Sequence, residues 1–215
     1  MNILPDGPAH SQDDPHGRHG HHASLQDGLD FVNTLSSSGD ALSELEPALR
    51  WLHDHELLHA EMVEHELGRY ASDPTGSDRA VARIGRVRAA LRELLDATVE
   101  RRQPAAEALR DVNRALRAQY VYELVPAPDG VSLDHRHEGD PIEGALARLA
   151  EAIGRELTTA DTNRLRVCAN DACAWVFYDS SPAGRRKWCD MRVCGNRAKV
   201  ARHRARLREE SALGQ

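Results

Sequence analysis

The sequence predicts a mainly α-helical chain with a small β-hairpin, an α+β fold that ends in a four-cysteine module and a basic helix. Apolar residues recur at spacings of three and four through most of residues 25–160, as on the buried face of helices. All four cysteines lie between positions 168 and 194, in the most basic part of the chain. We therefore expect a disordered tail at 1–24, a helical domain at 25–160 and a cysteine module at 161–210.

The composition bounds the class of protein. The chain has 215 residues, of which 40% are hydrophobic and 29% charged, enough for one or two folded domains. No segment approaches the roughly 18 consecutive apolar residues of a membrane span. The first residues also lack the basic region and apolar run of a signal peptide. We expect a bacterial protein of the reducing cytoplasm with no membrane partner, where paired cysteines more often bind metal than form disulfides.

The first half of the helical domain begins after the tail. The tail is rich in Gly, Pro, His and Asp, so burial cannot offset its ordering entropy. Apolar spacing predicts a first helix over 25–35, which the Ser-rich segment 36–40 ends. A second helix is expected from near Ser43, with Glu46 completing a capping box, to about residue 58.

The second half of the domain contains the longest apolar stripe. Residues 59–70 continue the second helix or form their own, and 73–76 predict a turn. The strongest helix covers 78–102, and Pro104 opens another over 104–118.

A change of period marks the end of the domain. Alternating segments at 120–125 and 131–135, around a Pro- and Gly-containing turn, predict the β-hairpin. Pro141 then starts a last helix, whose Ile142, Leu146 and Leu149 face inward.

Charge is distributed unevenly along the chain. Residues 1–163 carry 16 Lys and Arg against 29 Asp and Glu, a net charge of −13. Residues 164–208 carry 12 against 3, a net charge of +9. This asymmetry indicates two modules with different partners, and a polyanion is the natural partner of the basic one.

The cysteines follow the pattern C-x4-C-x15-C-x4-C, formed by Cys168, Cys173, Cys189 and Cys194. Two ligand pairs joined by a loop of this length suit the tetrahedral four-thiolate coordination of Zn²⁺. Four protein ligands leave no open position for water, so we expect one structural zinc ion and not a catalytic one. An iron–sulfur cluster, disulfides or free thiols are the alternatives.

Basic residues surround the cysteines. Arg185, Arg186 and Lys187 lead into the third cysteine, and a helix is predicted after the fourth. The predicted nucleic-acid contacts on that helix are Arg197, Lys199, Arg202, Arg204 and Arg206. Such a helix suits a groove lined by phosphates, and its affinity should fall steeply with salt. Alternatively, the helix docks on the acidic domain of the same chain.

Two apolar features of the module give further expectations. Val200 and Leu207, seven residues apart, predict a narrow inward stripe on the basic helix. Four aromatic residues are expected to form a small core, although some could instead stack on bases: Trp175, Phe177, Tyr178 and Trp188. At the start of the helix we expect Gly195 to permit a tight turn and Asn196 to act as the cap.

The module resembles the CGNR zinc finger, since Cys194-Gly195-Asn196-Arg197 follows a Trp-Cys pair at 188–189. The preceding domain is similar to the ABATE domain, through LDFVNTL at 29–35 and LRWL at 49–52. The resemblance implies a bacterial, stress-related transcription regulator that binds DNA through its finger. At 180–184 the chain has SSPAG where the family pattern has a Ser-Arg-Asn-like stretch, so one positive charge is missing there.

A competing motif is His-Glu-Leu-Leu-His at 55–59, which fits the H-E-x-x-H pattern of zinc hydrolases. His65 falls where metzincins have a third ligand, but Met62 replaces the glycine that turns their chain. On a continuous helix His65 would lie about 15 Å along the axis from His55. We therefore expect a surface helix, no catalytic residues and no enzymatic activity.

These observations together predict a DNA-binding regulator associated with the nucleoid. The N-terminal domain would sense a small molecule or a protein partner, or form a homodimer. A zinc-stabilised protein-interaction module is the main alternative, and RNA binding is another.

Overall fold

The computed structural model describes residues 23–118, 120–128, 130–137, 139–159 and 161–213. The predicted tail lies outside this range, apart from its last two residues. The described residues form seven α-helices: α1 Leu25–Asn33, α2 Leu45–Asp54, α3 Ala60–Tyr70, α4 Pro74–Glu100, α5 Ala106–Ala115, α6 Pro141–Thr159 and α7 Asn196–Leu213. They also form three antiparallel strand pairs: β1 Leu35–Ser36 with β2 Gly39–Asp40, β3 Tyr120–Ala127 with β4 Gly130–His137, and β5 Leu165–Val167 with β6 Val176–Tyr178. The mainly helical prediction is confirmed.

The main core lies between α1, α2, α4 and α6. Leu91 and Leu95 of α4 are fully buried, as are Leu49 of α2 and Leu149 of α6. On α6 the apolar residues recur at helical spacing, so one face of this helix is buried along most of its length. Close packing of these leucines means that loss of one would cost about 2–5 kcal/mol.

The second helix is shorter than predicted. It begins at Leu45, and Glu44, not Ser43, occupies the N-cap without a side-chain hydrogen bond. It ends at Asp54, and Glu56 has a left-handed φ of 56°. The N–H groups of Leu57 and Leu58 both donate to the Leu52 carbonyl, and both leucines are buried. Burial of these two side chains accounts for the early end.

The predicted turn at 73–76 is instead the start of α4. Asp73 caps the helix by accepting a hydrogen bond of 2.8 Å from the Gly76 N–H, and Pro74 takes the first helical position. The helix ends at Glu100, and the next residue, Arg101, has a left-handed φ of 55°. The next helix is also shorter than expected, because α5 begins two residues after Pro104.

The sequence predicts one of the two hairpins of the helical domain but not the other. The β3–β4 pair is confirmed and is longer than expected, with Tyr120 paired to His137 at its open end. The Ser-rich break forms the minimal β1–β2 pair. Arg88, buried on α4, holds it by donating to both carboxylate oxygens of Asp40 and to the Thr34 hydroxyl at 2.9 Å.

The cysteine module is anchored to the helical domain by its strand pair. Leu165 of β5 and Val176 of β6 are each 1% exposed and belong to the main core. The Asn33 side chain of α1 donates to the Val176 carbonyl at 2.8 Å and accepts from its N–H at 3.0 Å. The module and the domain therefore share one core.

Candidate metal centre and basic helix

The first cysteine pair lies on the turn that links β5 to β6. Cys168 follows β5 directly, and its N–H donates to the Trp175 carbonyl at 2.8 Å. The Cys173 N–H donates to the Asn170 carbonyl at 2.7 Å, which closes the turn. Ala174 then takes a left-handed φ of 52°, so the chain reverses immediately after the second cysteine.

The second cysteine pair frames a short helical turn at Met191–Gly195. Asp190 caps this turn by accepting hydrogen bonds from the N–H groups of Arg192 and Val193. The Cys194 N–H donates to the Asp190 carbonyl at 2.9 Å. The turn brings Cys194 back toward Cys189 and leads directly into α7.

The four Sγ atoms converge on one point. All lie within 4.8 Å of one another, and the described residues contain no second cluster of three or more metal-ligating side chains. Cys173 and Cys189 are 3.6 Å apart at sulfur, and Cys189 and Cys194 3.8 Å. A tetrahedral zinc with Zn–S bonds near 2.3 Å requires sulfur–sulfur distances of about 3.8 Å. The donor set therefore fits zinc.

The electrostatics of the cluster favour a bound cation. Burial raises the pKa of the Cys173 and Cys189 thiols, whereas a hydrogen bond from the Asn170 amide lowers the pKa of Cys194. That amide lies 3.5 Å from the Cys194 sulfur. Four thiolates this close repel one another, and a divalent cation offsets the repulsion.

Asp179 organises the loop that approaches the third cysteine, a role that the sequence did not reveal. It is fully buried, and its carboxylate accepts from the Ser181 N–H at 3.0 Å and the Arg186 N–H at 2.7 Å. Burial opposes its ionisation, but the hydrogen bonds from Ser181 and Arg186 lower its pKa to about 2. The loop at 180–184, where the chain departs from the family pattern, is thus folded around a carboxylate.

Arg186 is engaged inside the finger. Its guanidinium lies over the Phe177 ring at 5.2 Å and donates to the Cys189 carbonyl. Arg185 and Lys187 beside it are exposed.

The basic helix projects into solvent. Every residue from Ala201 to Leu207 is exposed, as are Arg197 and Lys199. The expected inward stripe is wrong, because Val200 and Leu207 are 48% and 47% exposed. The acidic domain does not cover this helix within the described part of the chain.

The start of the helix differs from the prediction in two details. Gly195 lies in the helical turn, and its φ is not left-handed. An added Cβ would clash with the sulfur of the exposed Met191 side chain and lie 3.3 Å from Trp188, so a side chain here would require Met191 to move. Asn196 is the first residue of α7 and not its cap, and its amide donates to the Arg192 carbonyl at 2.9 Å. Asp190 caps instead.

The four aromatic residues of the module divide between three environments. Phe177 is buried beside the cysteines, with Trp188 packed against the same cluster. Tyr178 packs on the helical core, and Trp175 is 42% exposed. The expected small core therefore contains two of the four.

The H-E-x-x-H segment does not form a metal site of the zinc-hydrolase kind. His55 lies past the end of α2, where it stacks on Trp51 at 3.9 Å and contacts the Asp27 carboxylate at 3.0 Å. Glu56 has left-handed backbone, and His59 caps α3. The two histidines therefore do not share one face of a helix.

Comparison with known protein families agrees with this architecture. Residues 28–161 match the ABATE family, described as "Putative stress-induced transcription regulator", and residues 164–207 match the CGNR zinc finger. No curated protein matches the chain. Among the described residues, no helix is both long and apolar enough to cross a membrane. Because the first match covers more than half of the sequence, the chain belongs to the ABATE family and carries a C-terminal CGNR zinc finger.

Proposed function

We propose that the chain is a DNA-binding transcription regulator of the bacterial cytoplasm and nucleoid, without enzymatic activity. One zinc ion holds the finger, α7 binds duplex DNA, and the N-terminal domain senses an effector. The observation that carries this proposal is the contrast between arginines in the two parts of the chain.

Arginines of the helical domain are mostly neutralised by carboxylates. Examples are the pairs Arg50–Glu46, Arg69–Glu66, Arg83–Asp140, Arg88–Asp40, Arg92–Asp96, Arg102–Glu93 and Arg155–Glu151. On α7, by contrast, Arg197, Lys199 and Arg204 are exposed and form no ion pair within the described residues. A helix that concentrates unpaired cations attracts a polyanion.

The zinc ion would be structural. The four thiolates of Cys168, Cys173, Cys189 and Cys194 would fill the four positions of a tetrahedral zinc, so no ligand position would remain for water or a substrate. Zinc would fix both turns and, through the second turn, the direction of α7.

The geometry of α7 suits the major groove. Its 18 residues extend over about 27 Å, and the groove admits one α-helix. Arg197, Val200 and Arg204 line one shallow face together with Arg192 and Asn196. We assign base or phosphate contacts to this face first.

The flanking cations would hold phosphates. Arg202 and Arg206 are on α7 but outside this shallow face, while exposed Arg185 and Lys187 lie on the loop before the third cysteine. Arg186 is assigned to the finger itself, because its guanidinium already contacts Phe177 and Cys189.

The test is binding of the full, zinc-loaded chain to duplex DNA across a salt series. Wild type is compared with the triple variant R197A/R202A/R204A. If the three arginines neutralise phosphates, the slope of log K against log salt should fall by about 2.7 in magnitude. The control R86A/R110A/R117A removes three exposed charges from the helical domain and should bind like wild type.

Other results would point to other functions. Binding that is equally weak for both triple variants would contradict the assignment to α7. A slope of log K against log salt near zero would favour a zinc-stabilised module that binds a protein partner. Preference for single strands would favour RNA binding.

A further inference from the structure

An open groove of about 540 Å³ lies where the helical domain meets the finger. Its wall combines Asp30 of α1, the β1–β2 turn, Trp51 of α2 with the following His55, and Trp175 of the finger. It is thus built from both family segments of the chain.

The backbone at Trp175 is held by hydrogen bonds, although its side chain is exposed. Its carbonyl accepts from the Cys168 N–H, and its neighbour Val176 is clamped by Asn33. On the other side, the Ala174 carbonyl accepts from Arg92 of α4 at 2.9 Å. Hydrogen bonds at Trp175 and at both of its neighbours therefore fix the backbone that carries this indole, which no core covers; such an arrangement is typical of a recognition residue.

The second indole of the groove is also pre-positioned. Trp51 stacks on His55 at 3.9 Å and packs at a tilt on Phe31, with ring centroids 5.5 Å apart. The Asp27 carboxylate in turn holds the His55 ring at 3.0 Å. Trp51 is partly exposed and lines the groove.

The charge of the side chains that line the groove indicates the charge of the ligand. The lining contains the carboxylates of Asp30 and Asp40 but neither Lys nor Arg. The guanidinium of Arg88 neutralises the Asp40 carboxylate. The Asp30 carboxylate, by contrast, accepts a hydrogen bond of 2.9 Å from the neutral Gln26 amide, its one donor among the described residues. Within the described residues, the groove therefore presents two indoles and one carboxylate without a cationic partner, a combination that recognises cations.

We propose that this groove binds a small organic ammonium ion. The ammonium pairs with the carboxylate of Asp30, and the apolar part of the ligand contacts Trp51 and Trp175. Hydroxyl groups of Ser36 and Ser38 supply further hydrogen-bonding positions at the rim.

A ligand in the groove would affect the metal centre through Trp175. This residue is two positions from Cys173, and its carbonyl accepts a hydrogen bond from the Cys168 N–H. This regulatory consequence rests on the proposed function, whereas ligand binding does not. The binding test therefore contains no DNA, so failure of one proposal can be told from failure of the other.

The experiment is calorimetric titration of the full, zinc-loaded chain with benzylammonium chloride. Benzyl alcohol and sodium benzoate serve as neutral and anionic probes of the same shape, at matched ionic strength. Saturable binding is expected for the ammonium, with affinity about ten-fold lower for the alcohol and no binding for benzoate.

Two variants locate the site. D30N should weaken benzylammonium binding about ten-fold and abolish the preference over benzyl alcohol. W175A should weaken binding of both probes, with zinc content and helical circular dichroism unchanged. The control D78N removes an exposed carboxylate outside the groove and should bind like wild type.

Absence of saturable benzylammonium binding would overturn the proposal. Equal affinity for the ammonium and the alcohol would overturn the assignment of charge recognition. Binding that D30N and W175A leave unchanged would place the ligand elsewhere and overturn the assigned groove.

Discussion

Asn33 provides a quantitative test of whether finger and helical domain form one cooperative unit. The β5–β6 register pairs Val167 with Val176, while the Cys168 N–H bonds to the Trp175 carbonyl. In an antiparallel pair, bonded and non-bonded positions alternate, so the polar groups of Val176 point away from β5. Asn33 satisfies both of them.

The substitution N33A would leave the N–H and C=O of Val176 without these partners. The Val176 residue is 1% exposed and Asn33 is 6% exposed, so water reaches the two groups poorly. Each unsatisfied buried group costs about 1–3 kcal/mol. Allowing for partial relaxation, we expect the free energy of unfolding to fall by about 2–4 kcal/mol.

The assay is urea unfolding of the zinc-loaded chain, followed by helical circular dichroism and by zinc release to a chromogenic chelator. In wild type the two transitions should coincide, because the finger shares the main core. In N33A zinc should leave at lower urea than the helices unfold. The control N113A removes an exposed amide from α5 and should change stability by less than about 0.5 kcal/mol.

This reasoning would be refuted if N33A kept the wild-type urea midpoint and its helix-unfolding and zinc-release transitions still coincided. The Asn33–Val176 bonds would then contribute nothing to the joint between the two parts. Separate transitions already in wild type would equally contradict a shared core, whatever N33A did.

Three further predictions concern charge and metal. Because Arg88 holds the pKa of Asp40 below its usual value, D40N should lower stability at pH 7 by about 1–2 kcal/mol, since Arg88 is buried but the Asp40 carboxylate is partly exposed to solvent. The stabilisation is present above the unfolded pKa near 3.9 and is lost as pH falls through the lower folded pKa. The difference between wild type and D40N in urea titrations should therefore shrink as the pH is lowered from about 4 through the folded pKa of Asp40. Elemental analysis should find one zinc per chain and a loss of metal in C189S. The double variant H55A/H59A should keep that one zinc, and a drop below one would show that the histidines bind metal.

The sequence predicted elements whose determinants are local. The stripes of α4 and α6 repeat over five or more turns, so their periodicity outweighs any single residue. Helix ends were predicted less well, because Asp73-Pro74 can begin either a turn or a capped helix. In the structure these residues begin the helix, because Gly76 and Ala80 are buried on the same helical face as Ile84.

The site shows the same division between local and distant determinants. The cysteine cluster was predictable because both ligand pairs sit on short turns whose spacing is written in the sequence. The exposure of α7 was not predictable. The spacing of Val200 and Leu207 fits a buried face, and whether that face is buried depends on which distant part of the chain packs against it. The Asn33–Val176 contact joins positions 143 residues apart, and no local pattern predicts it.

A shared core changes what the finger can do. A finger on a flexible linker would search for DNA independently of its domain, whereas Leu165 and Val176 fix this finger to the helices. Residues 1–163 carry a net charge of −13, so phosphates repel most approaches to this part of the chain. Orientations that present the finger and α7 first bring opposite charges together. The acidic domain would therefore orient the chain on DNA, and a ligand in the groove beside Trp175 would act where that orientation is set.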